Sequence, residues 1–153
     1  MLTLPTSLHE AIRRHGEETY PEECCGILLG VAGGDERSVR LVIRCENAIA
    51  ESRQSRYHID PRELVRAQRQ ARDEGWEIVG FYHSHPDHPA RWSNTDLEEA
   101  HWIGCSYVIT SVIEGKAAAT RSFALIGSVE EDKGFAEEEM VVEGPPTLRQ
   151  KQA

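Results

Sequence analysis

The stretch Trp76–Pro86, WEIVGFYHSHP, does most to limit the folds open to this chain. After Glu77 its first half is apolar without polar alternation, the stretch being set between Gly75 and Pro86, and a strand of that kind is buried on both faces. It therefore belongs in the middle of a sheet, with a neighbour on either side. A chain of 153 residues is long enough to bury such a strand and too short for two comfortable domains.

The surrounding segments supply the rest of one layer. Ser7 and Glu10 stand in a capping-box relation, and Leu8, Ala11, Ile12 and His15 then share a helical face, which predicts a helix over 8–18. CCGILLGVAG and SVRLVIRCENA read as two strands that pair as a hairpin through GGDER. Asp60 as cap, Pro61 at the first helical position, Glu63 and a closing Gly75 mark a second helix with Leu64, Val65, Gln68 and Ala71 inward. SNTDLEEAHWIG reads as a short helix capped by Ser93, SYVITSVI and AAATRSFALI as two strands, and EEMVVE as an edge strand in an acid-rich, solvated tail. The expected fold class is α/β (α+β), a single-layer mixed β-sheet flanked by helices, with one domain over residues 1–143 and a disordered tail at 144–153.

Composition narrows the function classes. With 26 acidic against 17 basic residues the formal net charge is -9, which argues against a nucleic-acid surface and for a protein or small-molecule partner. No apolar run approaches the roughly 20 residues of a membrane span, and the first residues lack a secretory pattern, so a cytoplasmic protein without membrane contact is expected. Cys24, Cys25, Cys45 and Cys105 are irregularly spaced and read as reduced, buried thiols. Nothing in the sequence sets the oligomeric state.

The end of the central strand carries the chemistry. His83 and His85 are two apart, so on a strand both imidazoles project from one face and can converge on one ion. Asp96, in the first turn of the following helix, is placed to be a third ligand. Two imidazoles and a carboxylate suit Zn²⁺ and leave a tetrahedral position for water. Such a water needs a base that does not itself bind the metal; Asp87, His88, Glu22 and Glu23 are candidates, and spacing does not choose among them. His88 and Asp87 read otherwise as a solvated loop residue and a turn residue. The Ser93 hydroxyl could donate to an oxyanion, in competition with its capping role.

His83, Ser84, His85, then Pro86 to Trp92, then Ser93, Asn94, Thr95 and Asp96 together resemble the JAMM signature of the MPN metalloprotease family, His-x-His, seven residues, Ser, two residues, Asp, with no position missing. PEECCGILLG resembles a second family element, a glutamate just before a Cys-Gly pair and an apolar strand. The resemblance extends over most of residues 8–126 and implies the MPN/JAMM (cytidine-deaminase-like) fold. It implies one zinc per chain held by His83, His85 and Asp96, with Glu23 as catalytic acid and base and Ser93 as oxyanion donor. It also implies hydrolysis of the amide or isopeptide bond after the C-terminal Gly-Gly tail of a ubiquitin-like protein, and the short connection after Asp96 is similar to the compact bacterial branch that processes small sulfur-carrier proteins. Two alternatives stand beside it: a non-catalytic MPN-type binding module, and a zinc hydrolase of a small amide.

Overall fold

The structure, a computed structural model, describes residues 1–144. The strand expected in the middle is β4 (Glu77–Pro86), and every residue after Glu77 is buried. It lies between β2 (Cys25–Gly33), which runs antiparallel to it, and β5 (Ser106–Ile113), which runs parallel. β2 turns back through the expected hairpin into β3 (Glu36–Cys45), and β5 through a short turn into β6 (Lys116–Ile126). With β1 (Leu2–Pro5), β7 (Gly134–Glu138) and β8 (Met140–Glu143) the sheet has eight strands in the order β7-β6-β5-β4-β2-β3-β1-β8. It is a single mixed sheet, because β1 pairs in parallel with both β3 and β8.

Helix α1 (Thr6–Thr19) covers one face and α2 (Pro61–Glu74) the other. Leu8 and Ile12 of α1 pack with Cys24, Leu28, Val79 and Tyr82, whereas Leu64, Ala67 and Ala71 of α2 pack with Cys25, Ile27 and Phe81. Adjacent Cys24 and Cys25 thus enter opposite cores, as neighbours in an extended chain must. All four cysteines are free and buried. On the α1 side, fully buried Tyr82 shares a 2.7 Å hydrogen bond with His15 Nδ1, tying helix to strand. Its ring fits because residue 26 is glycine: a Cβ there would lie 2.1 Å from the Tyr82 ring.

α2 begins and ends as its sequence signals. Asp60 accepts from the Arg62 N–H at 2.8 Å, and Gly75 closes the helix at φ 77°. Its inner face differs from the expected one: Ala67 and Ala71 are buried, while Val65 is 47% exposed and Gln68 faces out. The sheet approaches closely enough that small residues make the contact. The Ser7–Glu10 capping box is not formed, since α1 starts at Thr6 directly from β1, with Pro5 at its cap and no side-chain cap. The helix after Ser93, α3 (Asn94–Glu99), is only six residues long because the chain extends at Ala100 to enter β5.

The acid-rich tail is less solvated than its composition implies. β7 and β8 are separated by Glu139 alone yet lie at opposite ends of the strand order, so residues 134–143 cross from one side of the curled sheet to the other. Glu138 fastens this crossing. Its carboxylate, 9% exposed, accepts from the Ser106 and Ser122 hydroxyls at 2.6 and 2.7 Å and lies 3.2 Å from the N-terminal ammonium. Burial pulls its pKa up, but the two hydroxyls and the nearby Arg37 outweigh burial and hold it below the usual glutamate value. Apart from Gly144, the tail expected at 144–153 lies outside the described residues. Among the described residues no helix is long and apolar enough to cross a membrane.

Replacing a buried, hydrogen-bonded carboxylate removes charge-assisted bonds that contribute about 2 kcal/mol. Glu138→Gln is therefore expected to unfold at lower denaturant at neutral pH. A group with a depressed native pKa stabilises above its unfolded pKa and loses that contribution as pH falls, so the gap from wild type should close on acidification; equal unfolding midpoints at neutral pH would refute the anchoring role.

Candidate metal centre

β4 delivers His83 and His85 to the same face, the one covered by α2, because both continue the side-chain alternation of Phe81. Ser84 points the other way and is spent on structure, accepting from the Cys24 N–H at 2.8 Å. The chain then turns at Asp87, which sits at φ 58°, and its carboxylate accepts from the Tyr20 hydroxyl at 2.6 Å and the Glu114 N–H at 2.8 Å. Asp87 is thereby a turn residue, facing away from the histidines. Four residues beyond His85, the Pro89 carbonyl accepts from His85 Nδ1 at 3.0 Å. A carbonyl can only accept, so Nδ1 carries a proton and Nε2 is the nitrogen turned toward Asp96.

α3 brings the carboxylate. Ser93 Oγ accepts from the Asp96 N–H at 3.1 Å and Asp96 Oδ2 from the Ser93 N–H at 2.9 Å, a reciprocal cap that orients Asp96 toward β4. Capping uses the hydroxyl oxygen of Ser93 as acceptor and leaves its hydrogen free to donate. Asp96 Oδ1 lies 3.3 Å from His83 Nε2, its Oδ2 3.1 Å from His85 Nε2, and the two imidazole nitrogens are 3.2 Å apart. Among the described residues this is the one cluster of three metal donors.

These separations are themselves informative. Tetrahedral donors about 2.0–2.1 Å from a zinc ion stand roughly 3.3 Å from one another; the two imidazole nitrogens stand 3.2 Å apart, and each has one of the two Asp96 oxygens at 3.3 or 3.1 Å. His83 is driven toward the neutral form chiefly by burial, against the pull of Asp96. Asp96, despite its own burial, is held low by the histidines and by the Ser93 N–H. Without a metal, protons shared between the imidazoles and the carboxylate hold the three groups together, and one divalent cation at their centre can replace those protons. The donor set therefore fits a divalent metal.

Glu23, just before β2, is only 3% exposed, and its Oε1 has no hydrogen-bond partner among the described residues. It lines a cavity of about 320 Å³ with His85, Ser93, His88, Arg91 and Trp92. Burial first, then the negative charges of Asp96 and Glu99, push its pKa up to about 9. A buried carboxyl that shares a cavity with His85 and Ser93 and feels the charge of Asp96 fits a group that hydrogen-bonds a water at the metal. Its neighbour Glu22 faces out, with the nearest Arg53 nitrogen 4.0 Å away. His88 stays in the loop, exposed, with its carbonyl accepting from Ser111 Oγ. The structure thus brings Glu23, His85, Asp96, His83 and Ser93 together and leaves Glu22 and Asp87 out.

Sequence reasoning did not find Tyr57. Its ring stacks on His83 at 4.5 Å between centroids and 24° between planes, closing the apolar side of the site. Nothing in the spacing of RYHIDP signals this, because the contact depends on how the loop before α2 folds over β4.

Comparison with known proteins agrees with this geometry. A family described as prokaryotic homologs of the JAB domain matches residues 5–126. The desampylase of Haloferax volcanii is 37% identical over 114 residues, covering 72% of this chain and 80% of that protein. The CysO-cysteine peptidase of Mycobacterium tuberculosis is 29% identical over 135 residues, covering 86% and 88%. The solution structure of protein DSY2949 from Desulfitobacterium hafniense superposes with a TM-score of 0.81 at 32% identity, covering 96% of both chains. The matched span includes every residue of the site, from Glu23 to Asp96, and by it the chain belongs to the prokaryotic JAB-domain family, the relationship that the JAMM/MPN resemblance implied.

Proposed function

We propose that this chain is a zinc-dependent peptidase that hydrolyses the amide bond after the C-terminal Gly-Gly tail of a small ubiquitin-like or sulfur-carrier protein. The observation that carries the reading is the opening of Glu23, with its unpartnered carboxyl oxygen, onto the same cavity as His85 and Ser93. The relatives named as a desampylase and a CysO-cysteine peptidase support the substrate class. A non-catalytic binding module would have no use for a buried, unpaired carboxyl beside a complete donor set.

His83, His85 and Asp96 would hold the metal. Zinc supplies a Lewis acid that lowers the pKa of a water and polarises the scissile carbonyl. Glu23 would take the attacking water's proton and pass it to the leaving amine. The free hydrogen of Ser93 Oγ donates to the negative charge developing on the carbonyl oxygen. The bond from His85 to the Pro89 carbonyl fixes the imidazole tautomer and ring plane. Trp92 and Arg91 line the cavity beside these groups.

The test uses purified protein with its bound metal quantified, incubated with small β-grasp carrier proteins extended past a Gly-Gly end, and products weighed by mass spectrometry. Wild type should hold one zinc and cut at that bond. Glu23→Gln should keep the zinc and lose at least about a hundredfold in kcat, the usual reach of a general acid-base group; near-normal turnover would remove Glu23 from its role. His85→Ala should lose both zinc and cleavage.

The Glu23 environment also predicts a pH effect on the chelated protein. The native pKa lies near 9 against an ordinary 4.5, so the folded state binds the proton more tightly. Its stabilising effect is whole below the unfolded pKa and is lost as pH rises through the native one. The Tm of the metal-free wild type should fall more steeply across that window than the Tm of Glu23→Gln, and parallel profiles would show that Glu23 is not buried as described.

A further inference from the structure

Between β3 and α2 the chain makes an irregular excursion over residues 46–60. Most of residues 48–56 are exposed, so side-chain packing does little to shape them. Their shape is set by hydrogen bonds at the neck of the loop, and Asn47 makes four of them. Its Oδ1 accepts from the Ile49 N–H at 3.1 Å and from the His58 N–H at 3.1 Å, and its Nδ2 donates to the Arg56 carbonyl at 2.9 Å and to the Glu23 carbonyl at 3.2 Å. Two N–H groups on one side and two carbonyls on the other leave no choice in the orientation of the amide. A backbone bond from the Ala48 N–H to the His58 carbonyl, 2.8 Å, completes the neck.

The loop grips Glu23 twice. Besides the Asn47 bond to its carbonyl, the Glu23 N–H donates to the Arg53 carbonyl at 2.8 Å. Glu23 lies outside β2, whose ladder starts at Cys25, so these two bonds replace sheet hydrogen bonds at this residue. The same loop reaches the other parts of the site: Tyr57 stacks on His83, and Arg56 forms an ion pair with Glu99 of α3, the helix that carries Asp96.

We infer that Asn47 is a positioning residue for the reaction: by stapling the loop neck and holding the Glu23 main chain, it sets where the Glu23 carboxyl stands relative to the histidines. The inference rests on the reading of Glu23 as the proton carrier. Proton transfer tolerates little misplacement, and a shift of about 1 Å in a reacting group can cost a hundredfold in rate. Loss of the tether should therefore appear in kcat, with the metal still bound and the tail still recognised.

Two substitutions separate positioning from mere loop stability. Asn47→Ala removes all four bonds. Asn47→Asp keeps the acceptor that holds the Ile49 and His58 N–H groups but can donate to neither the Glu23 nor the Arg56 carbonyl. If the residue positions Glu23, Asn47→Asp, which keeps two of the four bonds, recovers part of the thermal stability lost in Asn47→Ala and retains zinc. Its kcat stays roughly tenfold or more below wild type across the pH profile, with KM within about twofold. Recovery of kcat along with stability would overturn the inference, as would an Asn47→Ala enzyme with wild-type kcat. Glu23→Gln in the same assay keeps the two ideas apart: an active Glu23→Gln defeats the functional reading itself, whereas an inactive Glu23→Gln beside a fully active Asn47→Asp defeats only the positioning role. A measurement on wild type does not depend on either variant folding. Both Asn47 side-chain amide protons should exchange slowly with solvent in NMR spectra, since each is held by a carbonyl; fast exchange of the proton directed at Glu23 would remove the tether.

Discussion

A strand hydrogen-bonded to neighbours on both sides and covered by helices on both faces has almost no freedom to move, and β4 is such a strand. Its immobility is what the site is built on. His83 and His85 take their direction from the strand alternation that puts Phe81 into the α2 core and Tyr82 into the α1 core. Everything else at the site approaches this fixed pair: α3 brings Asp96 through its own cap, the turn at Asp87 brings the Pro89 carbonyl, and the loop before α2 brings Tyr57. Preorganisation of this kind is inexpensive for the protein because the histidines ride on the most buried element of the core.

The two carboxyl groups of the site show how environment assigns roles to the same chemistry. Asp96 is buried, yet it accepts from a backbone N–H at the start of α3 and faces two histidines, so it stays ionised. Glu23 is buried without a partner and faces negative charge, so it is driven toward the protonated form. Two buried carboxyls with pKa values pushed in opposite directions are suited to different tasks, which is the physical basis for proposing Asp96 as a ligand and Glu23 as a proton carrier. The acidic composition of the chain hides this difference, since most of its carboxylates are exposed; Glu138, held by two hydroxyls beneath the sheet, is another exception.

Much of this was legible in the residues before any coordinates. The apolar run through β4, the Asp60-Pro61 start and Gly75 stop of α2, and the Ser93–Asp96 cap are local signals whose physics operates within a few residues, and the structure realises each of them. Where local signals failed, a distant contact had taken over. The Ser7–Glu10 box gave way because β1 runs straight into α1, and the inward face of α2 rotated onto Ala67 and Ala71 because the sheet demands close approach. β7 was invisible in an acid-rich segment because its pairing with β6 and the burial of Glu138 are set by residues far away in the chain.

The same division runs through the site. Spacing on one strand decides that His83 and His85 share a face, and spacing on one helix start decides that Asp96 and Ser93 cap each other; a period of two and a single turn of helix are properties of the local chain. Which carboxyl joins them is another matter. Glu22 and Glu23 are adjacent and chemically alike, and four groups were eligible as base on spacing alone. The family resemblance pointed to Glu23, but the physical distinction is made by the packed structure, which buries Glu23 in the cavity beside His85 and turns Glu22 out to solvent, because burial and charge proximity depend on segments some sixty residues apart meeting in space.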